Sequence, residues 1–261
     1  MHKAICLETI FTDVPFEERF ALSKHYGFAY VEFWTWQDKD VDKIRELCRV
    51  HNIQVVAFSG DQEFSLVDPK ERADYIDFVE KSISVAKSLN CHFLVLHSNA
   101  LDKNGVVVKP CDHISPSEKV ENIIRILKAL VPLAEQEDVV LLLEALNTKV
   151  DHPGYFLSHT EDAVKIVQAV DSSHVKVLYD LYHMQIMEGD RVTLFTLTRF
   201  RDFIGHIHMA DVPGRHEPGT GEINFKNVMR ALEAMGYEGI VSFELFPLRS
   251  SVEAVRAIQQ L

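Results

Sequence analysis

The chain has 261 residues, of which 47% are hydrophobic and 25% charged, a composition typical of a globular protein. Its net charge of −12 opposes nucleic-acid binding, which usually requires a basic face. No apolar run approaches the roughly 20 residues that span a bilayer, and the first residues lack the apolar core of a signal peptide. Four scattered cysteines favour reduced thiols over a disulfide framework. We therefore expect a cytoplasmic protein without nucleic-acid or membrane partners.

Short β-rich runs alternate with helical patterns along the whole chain. One apolar helix face is predicted from the spacing of Tyr75, Phe78, Val79, Ile83 and Ala86. Ser115 begins a capping-box pattern, and Asp68 before Pro69 predicts another helix start. The predicted strands are Ala4–Glu8, Tyr30–Trp34, Gln54–Ser59, Phe93–Ser98, Val139–Leu146, Lys176–Asp180, Ile204–Ala210 and Ile240–Phe246.

Eight such strand–helix units predict a single (β/α)8 TIM barrel over residues 1–261. No linker or shift in composition divides the chain. Runs such as VVLLL are typical of parallel strands covered on both faces. An open doubly wound sheet is the alternative, but eight evenly spaced units favour the closed barrel.

Polar side chains stand at the ends of strands five to eight: Glu144, Asp180, His208 and Glu244, at intervals of 36, 28 and 36 residues. In a barrel, these strand ends surround one mouth, where active sites lie. Three carboxylates cannot share a small mouth as free anions, because Coulomb repulsion would protonate at least one. Each residue alone could instead be a salt-bridge partner or a helix cap. Together, three oxygen ligands and one nitrogen ligand predict one divalent metal ion, Mn²⁺, Mg²⁺ or Co²⁺.

Further polar residues accompany these four. His206 and His208 share one face of strand seven, and His208 is the preferred ligand because it lies nearer the mouth. His206 is expected one layer deeper, hydrogen-bonded in the core. Glu32 and His97, on strands two and four, also point towards the mouth, either to contact substrate or to support the site. Asn147 is expected to hydrogen-bond near Glu144.

The two glutamates predict proton-transfer chemistry. A metal that chelates a carbonyl and an adjacent hydroxyl group acidifies the carbon-bound proton between them. Glu144 and Glu244, as the catalytic pair, can then remove a proton and return one. The intermediate of that chemistry is an enediolate, and the product is an isomer or an epimer of the substrate.

Four longer segments carry a family resemblance: FEERFALSKHYGFAYVEFW, YDLYHMQIMEGD, IGHIHMADVPGRHEPGTGEINF and ALEAMGYEGIVSFELFP. They resemble the hydroxypyruvate isomerase family, within the xylose isomerase-like superfamily of barrel sugar isomerases and epimerases. The resemblance implies that Glu144, Asp180, His208 and Glu244 bind one divalent metal and that the two glutamates are the acid–base pair. By similarity to ketose 3-epimerases, it also implies that His183 and Arg215 contact substrate oxygens.

Arg215 makes chemical sense in such a site, since a guanidinium binds a carboxylate through two hydrogen bonds. A solvated loop charge is the alternative for Arg215, and a backbone-bonded histidine is the alternative for His183. Trp34 and Trp36 are candidates to roof the substrate, with core packing as the equal alternative. Trp34 and His97 join His183 and Arg215 as candidate substrate-binding residues.

The expected reaction is therefore an intramolecular oxidoreduction that interconverts hydroxypyruvate and tartronate semialdehyde. A ketose 3-epimerase on the same metal site is the main alternative. An endonuclease IV-like phosphodiesterase is disfavoured, because it requires a further histidine at strand three and an Asp-x-His motif after strand seven. Strand three ends AFSG and the later segment is DVPGRHE. A non-catalytic binding barrel is the last alternative. Barrels of this family often self-associate, so a homo-oligomer is one expected assembly.

Overall fold

A closed barrel of eight parallel strands forms the centre of the computed structural model, which describes residues 1–61 and 63–261 (for residues 190–193, the backbone alone). The strands pair in chain order, and the first pairs with the last to close the ring. The predicted TIM barrel is confirmed, with strand ends differing from the prediction by at most three residues. The strands are β1 His2–Cys6, β2 Tyr30–Phe33, β3 Gln54–Ser59, β4 Phe93–His97, β5 Val140–Glu144, β6 Val175–Asp180, β7 Ile204–Met209 and β8 Ile240–Phe243.

Helices surround the barrel and bury their apolar faces against the strands. The predicted face from Tyr75 to Ala86 is buried. No helix among the described residues is long and apolar enough to cross a membrane. The helices are α1 Glu18–His25, α2 Val41–His51, α3 Arg72–Leu89, α4 Pro116–Glu137, α5 Thr160–Val170, α6 Leu181–Glu188, α7 Asp190–Arg199, α8 Phe225–Ala234 and α9 Ser251–Gln259.

One predicted helix start is confirmed and the other is wrong. Ser115 forms a complete capping box with Glu118 at the start of α4. By contrast, α3 begins only at Arg72 and not after Asp68. The Asp68 carboxylate accepts the backbone N–H of Lys70 at 2.9 Å and so closes a tight turn. Such a local hydrogen bond competes with helix initiation, and the helix therefore starts later.

The register of the ladders brings the strand-end residues to one mouth. Glu144 lies opposite Leu178, two residues before Asp180, so the side chains of Glu144 and Asp180 point into the barrel from neighbouring strands. Asp180 in turn lies opposite His208. Glu244 follows the last residue of β8 directly.

The barrel interior beneath this mouth is apolar at its base. A small cluster separate from the main core contains Ala57, Val95, Leu142 and Leu178. Val95, Leu142 and Leu178 stand two residues before His97, Glu144 and Asp180 on their strands. The polar side chains at the ends of β4, β5 and β6 therefore rest on an apolar layer.

Candidate metal centre and active site

Three of the four predicted metal ligands converge at the mouth. Ligand atoms of Glu144, Asp180 and His208 all lie within 4.8 Å of one another, and all three residues are buried. The fourth, Glu244, is adjacent: its Oε2 lies 3.4 Å from Nδ1 of His208. Residues from four successive strands thus surround one small volume at the carboxyl end of the barrel.

Asp180 serves two structures at once, because it is the last residue of β6 and the N-cap of α6. Its Oδ1 accepts the backbone N–H groups of Tyr182 at 2.7 Å and His183 at 3.3 Å. The other oxygen, Oδ2, faces the site, 3.6 Å from Nε2 of His183. Burial raises the pKa of Asp180, and the guanidinium of Arg215 only partly offsets this. Burial therefore opposes the charged form of Asp180, and a bound cation would offset that cost.

Glu144 is held from one side only. Its Oε2 lies 3.3 Å from Nε2 of His97, whereas its buried Oε1 has no hydrogen-bond partner among the described residues. On the far side of the imidazole, Nδ1 of His97 is 2.8 Å from Oδ1 of Asp61. Burial alone would lower the pKa of His97, but Asp61 and Glu144 raise it to about 10. The ring of His97 is therefore an imidazolium, and it contacts Oε2 of Glu144.

Glu244 has a contrasting environment. Trp34 Nε1 donates to Oε1, and Arg215 Nη2 donates to Oε2 at 2.6 Å. Burial alone would raise the pKa of Glu244, but Arg215 and His208 lower it to about 2. Glu244 is thus a carboxylate at neutral pH, and Trp34 contacts it directly at the wall of the cavity.

Arg215 lies within the site and not in solvent. Its guanidinium stands 5.3 Å from the ring centroid of Tyr182, and its Nη2 is also 3.7 Å from Oδ2 of Asp180. The buried Nε has no hydrogen-bond partner among the described residues. Asp211 fixes the loop that carries Arg215, since its carboxylate accepts four backbone N–H groups, from Val212, Gly219, Gly221 and Ile223.

His183 is fully buried beside the cavity, and Asn147 orients it. The backbone N–H of Asn147 and its side-chain amide lie 3.3 Å and 2.7 Å from Nδ1 of His183. An amide that donates to Nδ1 requires the ring proton to sit on Nε2. Burial and the nearby Arg215 lower the pKa of His183 well below its ordinary value. The ring is therefore neutral and presents an N–H towards Asp180 and the cavity. The structure thus places Asn147 beside His183.

A cavity of about 690 Å³ opens above these residues. A hairpin around Asp102–Gly105 and the residues Val150–His152 also border it, as does Phe246. Asp180 does not line the cavity. The other predicted site residues all line it: Trp34, His97, Glu144, His183, His208, Arg215 and Glu244.

The structure differs from the sequence interpretation at Trp36 and shows one residue, Asp61, that the interpretation did not include. Trp36 does not roof the substrate: its Nε1 donates to Ser82 at 2.9 Å, and its ring packs on Phe78 of α3. Asp61, which fixes His97, was not identified because it stands two residues beyond the end of β3. The signal was an acid after an apolar strand, the same pattern that identified Asp180.

A divalent cation fits these side chains. The donors are hard carboxylate oxygens and one imidazole, the set preferred by Mn²⁺, Mg²⁺ and Co²⁺. The buried Oε1 of Glu144 has no hydrogen-bond partner among the described residues, and a cation bound there would satisfy it. Glu144, Asp180, His208 and Glu244 would hold the ion.

Comparison with known proteins gives full-length matches. Residues 20–261 match the family model of the xylose isomerase-like TIM barrel. The chain is 29% identical to hydroxypyruvate isomerase of Escherichia coli (strain K12), over 96% of this chain and 95% of that protein. It is 32% identical to a putative hydroxypyruvate isomerase of Homo sapiens, with coverages of 88% and 83%. It is 26% identical to 2-oxo-tetronate isomerase of Haemophilus influenzae, with coverages of 97% and 96%.

Solved structures share the same barrel. An AP endonuclease, family 2, from Brucella melitensis matches with a TM-score of 0.87 and 29% identity, over 99% of this chain and 98% of that one. The IOLI protein, whose crystal structure contains a zinc atom, matches with a TM-score of 0.80 over 100% of this chain and 96% of that one. At 21% identity, the second likeness shows the fold alone.

Proposed function

Because the chain belongs to the xylose isomerase-like TIM barrel family, and within it to the hydroxypyruvate isomerase family, it is an isomerase, and we propose that it interconverts a small hydroxy-keto acid with its aldehyde isomer. Hydroxypyruvate and tartronate semialdehyde are the pair that we expect. The net reaction breaks one C–H bond at C3 and forms one at C2, through an enediolate, and requires no external oxidant.

The observation that carries the proposal is the placement of Glu144 and Glu244. The two carboxylates face one cavity from β5 and β8, with Asp180 and His208 between them. A divalent cation, Mn²⁺, Mg²⁺ or Co²⁺, would polarise the carbonyl and hydroxyl oxygens and acidify the proton on the hydroxyl-bearing carbon. Two carboxylates on either side of that carbon pair can then act as base and acid.

The surroundings of the two carboxylates support a different role for each. Glu244 is ionised and so can accept the proton from C3. Its pKa of about 2 is low for a base, because Arg215 holds it. When the guanidinium engages the substrate carboxylate, its hold on Glu244 weakens and the pKa of Glu244 rises. Glu144, beside the imidazolium of His97, is placed to take the proton of the C3 hydroxyl group and return it to C2. Glu244 then passes the proton from C3 to the C2 oxygen, so both carboxylates end as they began.

The remaining residues bind and orient the substrate. Arg215 is a cation at the wall of the cavity and can hold a carboxylate through two hydrogen bonds. The neutral imidazole of His183 offers an Nε2–H to a substrate oxygen. Trp34 covers Glu244 and limits the access of water to it.

The size of the cavity keeps a second candidate function open. Its volume of about 690 Å³ lies within the range of roughly 300–1,000 Å³ found for small-molecule sites and exceeds the needs of a three-carbon acid. A four-carbon acid such as 2-oxo-tetronate fits, and so does a ketose that undergoes epimerisation at C3. A phosphodiesterase function is disfavoured, because Glu8, Asp38, Asp102 and Asp151 border the cavity and would repel a polyanion.

Proton exchange in D₂O tests the reaction. Purified protein loaded with Mg²⁺, which is diamagnetic, would be offered hydroxypyruvate, 2-oxo-tetronate or ketoses, with NMR as the readout. Entry of deuterium at C3 of hydroxypyruvate, with formation of tartronate semialdehyde, is the expected result. Exchange at C3 of a ketose without any in either keto acid would instead establish the epimerase. The Glu244→Gln variant is the matched control for exchange that the enzyme does not catalyse.

The proposal extends to the setting of the enzyme. We propose that residues 1–261 act as one barrel domain in the cytoplasm, on small molecules and not on nucleic acid or membranes. The four cysteines are free thiols, which suits a reducing compartment. Sedimentation of the metal-loaded protein would show whether it forms a homo-oligomer.

A further inference from the structure

A cluster of polar side chains lies inside the barrel directly beneath the candidate metal centre. Glu32 of β2, His206 and His208 of β7 and Ser242 of β8 are all buried. The ring of Phe93 stacks against His206, with a distance of 5.3 Å between the ring centroids. A carboxylate in such surroundings is costly unless hydrogen bonds satisfy both of its oxygens.

Both oxygens of Glu32 have partners. Its Oε1 lies 2.6 Å from Nε2 of His206 and 2.6 Å from Oγ of Ser242. Its Oε2 lies 3.0 Å from Nε2 of His208. One carboxylate therefore connects β2 to β7 and β8 across the interior of the barrel.

The contact with His208 determines which ring nitrogen is free. An anionic carboxylate only accepts hydrogen bonds, so the ion-pair contact of Glu32 at 3.0 Å favours a proton on Nε2 of His208. The opposite nitrogen, Nδ1, lies 3.4 Å from Oε2 of Glu244, on the side of the metal centre, and is the nitrogen that would give up its proton to a metal ion. We propose that Glu32 is a positioning residue that fixes the rotamer and the tautomer of His208 for coordination through Nδ1. This inference rests on the metal centre proposed above.

The same residues could in principle form a second metal site, since ligand atoms of Glu32, His206 and His208 also lie within 4.8 Å of one another. The distances favour hydrogen bonds. Two ligands at about 2.1 Å from one ion lie roughly 3 Å or more apart, whereas Glu32 and His206 are separated by 2.6 Å. Nε2 of His206 is also 3.1 Å from the hydroxyl of Ser242. These distances favour a hydrogen-bonded cluster of Glu32, His206 and Ser242 over a second metal site.

Binding of Mn²⁺ tests the inference without any measurement of turnover. The EPR signal of free Mn²⁺ would be followed during titration of wild-type protein, Glu32→Gln and the control Ser242→Ala. The control removes a second donor to the same carboxylate but leaves the pair with His208. We expect one Mn²⁺ per wild-type chain, affinity weakened roughly 10- to 100-fold in Glu32→Gln, and a change of less than about threefold in the control. Circular dichroism verifies that each variant is folded.

The outcomes separate this inference from the proposed function. Unaltered affinity in folded Glu32→Gln would overturn the positioning role while leaving the metal centre intact. Binding of a second Mn²⁺ would also overturn it, whereas no binding by wild-type protein would remove the metal centre itself. Should Glu32→Gln fail to fold, ¹⁵N-histidine NMR of the wild-type protein with Zn²⁺ decides. We expect the His208 proton on Nε2 and the metal on Nδ1, and the reverse arrangement would refute the inference.

Discussion

Replacement of Glu244 by Gln should remove both a base and a buried ionic interaction. In the folded protein, Arg215, His208 and Trp34 lower the pKa of Glu244 from 4.5 to about 2. At 1.36 kcal/mol per pKa unit, this corresponds to about 3 kcal/mol of stability at neutral pH. The amide retains the volume of the side chain but loses the charge, so Arg215 keeps only the more distant Asp180. Turnover should fall by at least about 10²-fold.

The pH dependence has a definite sign. Because the pKa is lowered on folding, the contribution of Glu244 to stability is complete above pH 4.5 and is lost as the pH falls towards 2. Urea unfolding of metal-depleted wild-type protein and Glu244→Gln should therefore differ by about 3 kcal/mol at pH 6 and converge near pH 2. The exposed acid Glu238 provides a control, since Glu238→Gln should leave stability and turnover unchanged. A Glu244→Gln variant with near-normal turnover, or with wild-type stability at pH 6, would refute the reasoning.

Three further predictions concern single side chains. Asp180→Asn retains the α6 cap but removes an acid whose pKa burial raises, so the metal-depleted variant should melt at least about 2 °C higher than wild type at pH 8. Added Mn²⁺ should no longer raise the Tm of this variant. A Tm below that of wild type in the metal-depleted variant would contradict the prediction. Asn147→Ala removes the side-chain donor to His183 and should raise KM about 3- to 10-fold in steady-state assays. An unchanged KM would show that His183 does not bind substrate. Trp34→Phe removes a hydrogen-bond donor to Glu244 and should raise the pKa of that carboxylate, so the acidic limb of the pH–rate profile should move to higher pH. An unmoved limb would rule out this contact as a determinant of the pKa of Glu244.

The barrel and the acids at its mouth were predictable for the same reason. Parallel strands of a closed sheet place their carboxyl ends together, so residues such as Glu144 and Glu244 meet despite their distance in sequence. Alternation along β7 likewise puts His206 and His208 on one face, and the rise along the strand separates His208 at the mouth from His206 below it. These inferences need only strand positions and a periodicity of two, both of which the hydrophobic pattern supplies.

Contacts that depend on loop geometry were not predictable. The orientation of Trp36 follows from the path of the chain after β2, which brings its indole to Ser82. Asp68 begins a turn and not a helix, because its side chain reaches the N–H of Lys70 first. Asp61 was missed because no pattern shows that a residue just beyond β3 will hydrogen-bond to His97.

All four candidate metal ligands come from β5 to β8, the second half of the chain. The first half contributes mainly surroundings: Trp34 over one glutamate, His97 beside the other, and the hairpin at Asp102–Gly105 over the entrance. The candidate metal ligands and these surrounding residues are therefore encoded largely in separate stretches of the gene, although His183 and Arg215, the candidate substrate-binding residues, belong to the second stretch. Mutation in the first stretch can reshape what enters while the reactive groups persist, a division that would let one ancestral barrel diversify into enzymes for many different sugars and acids.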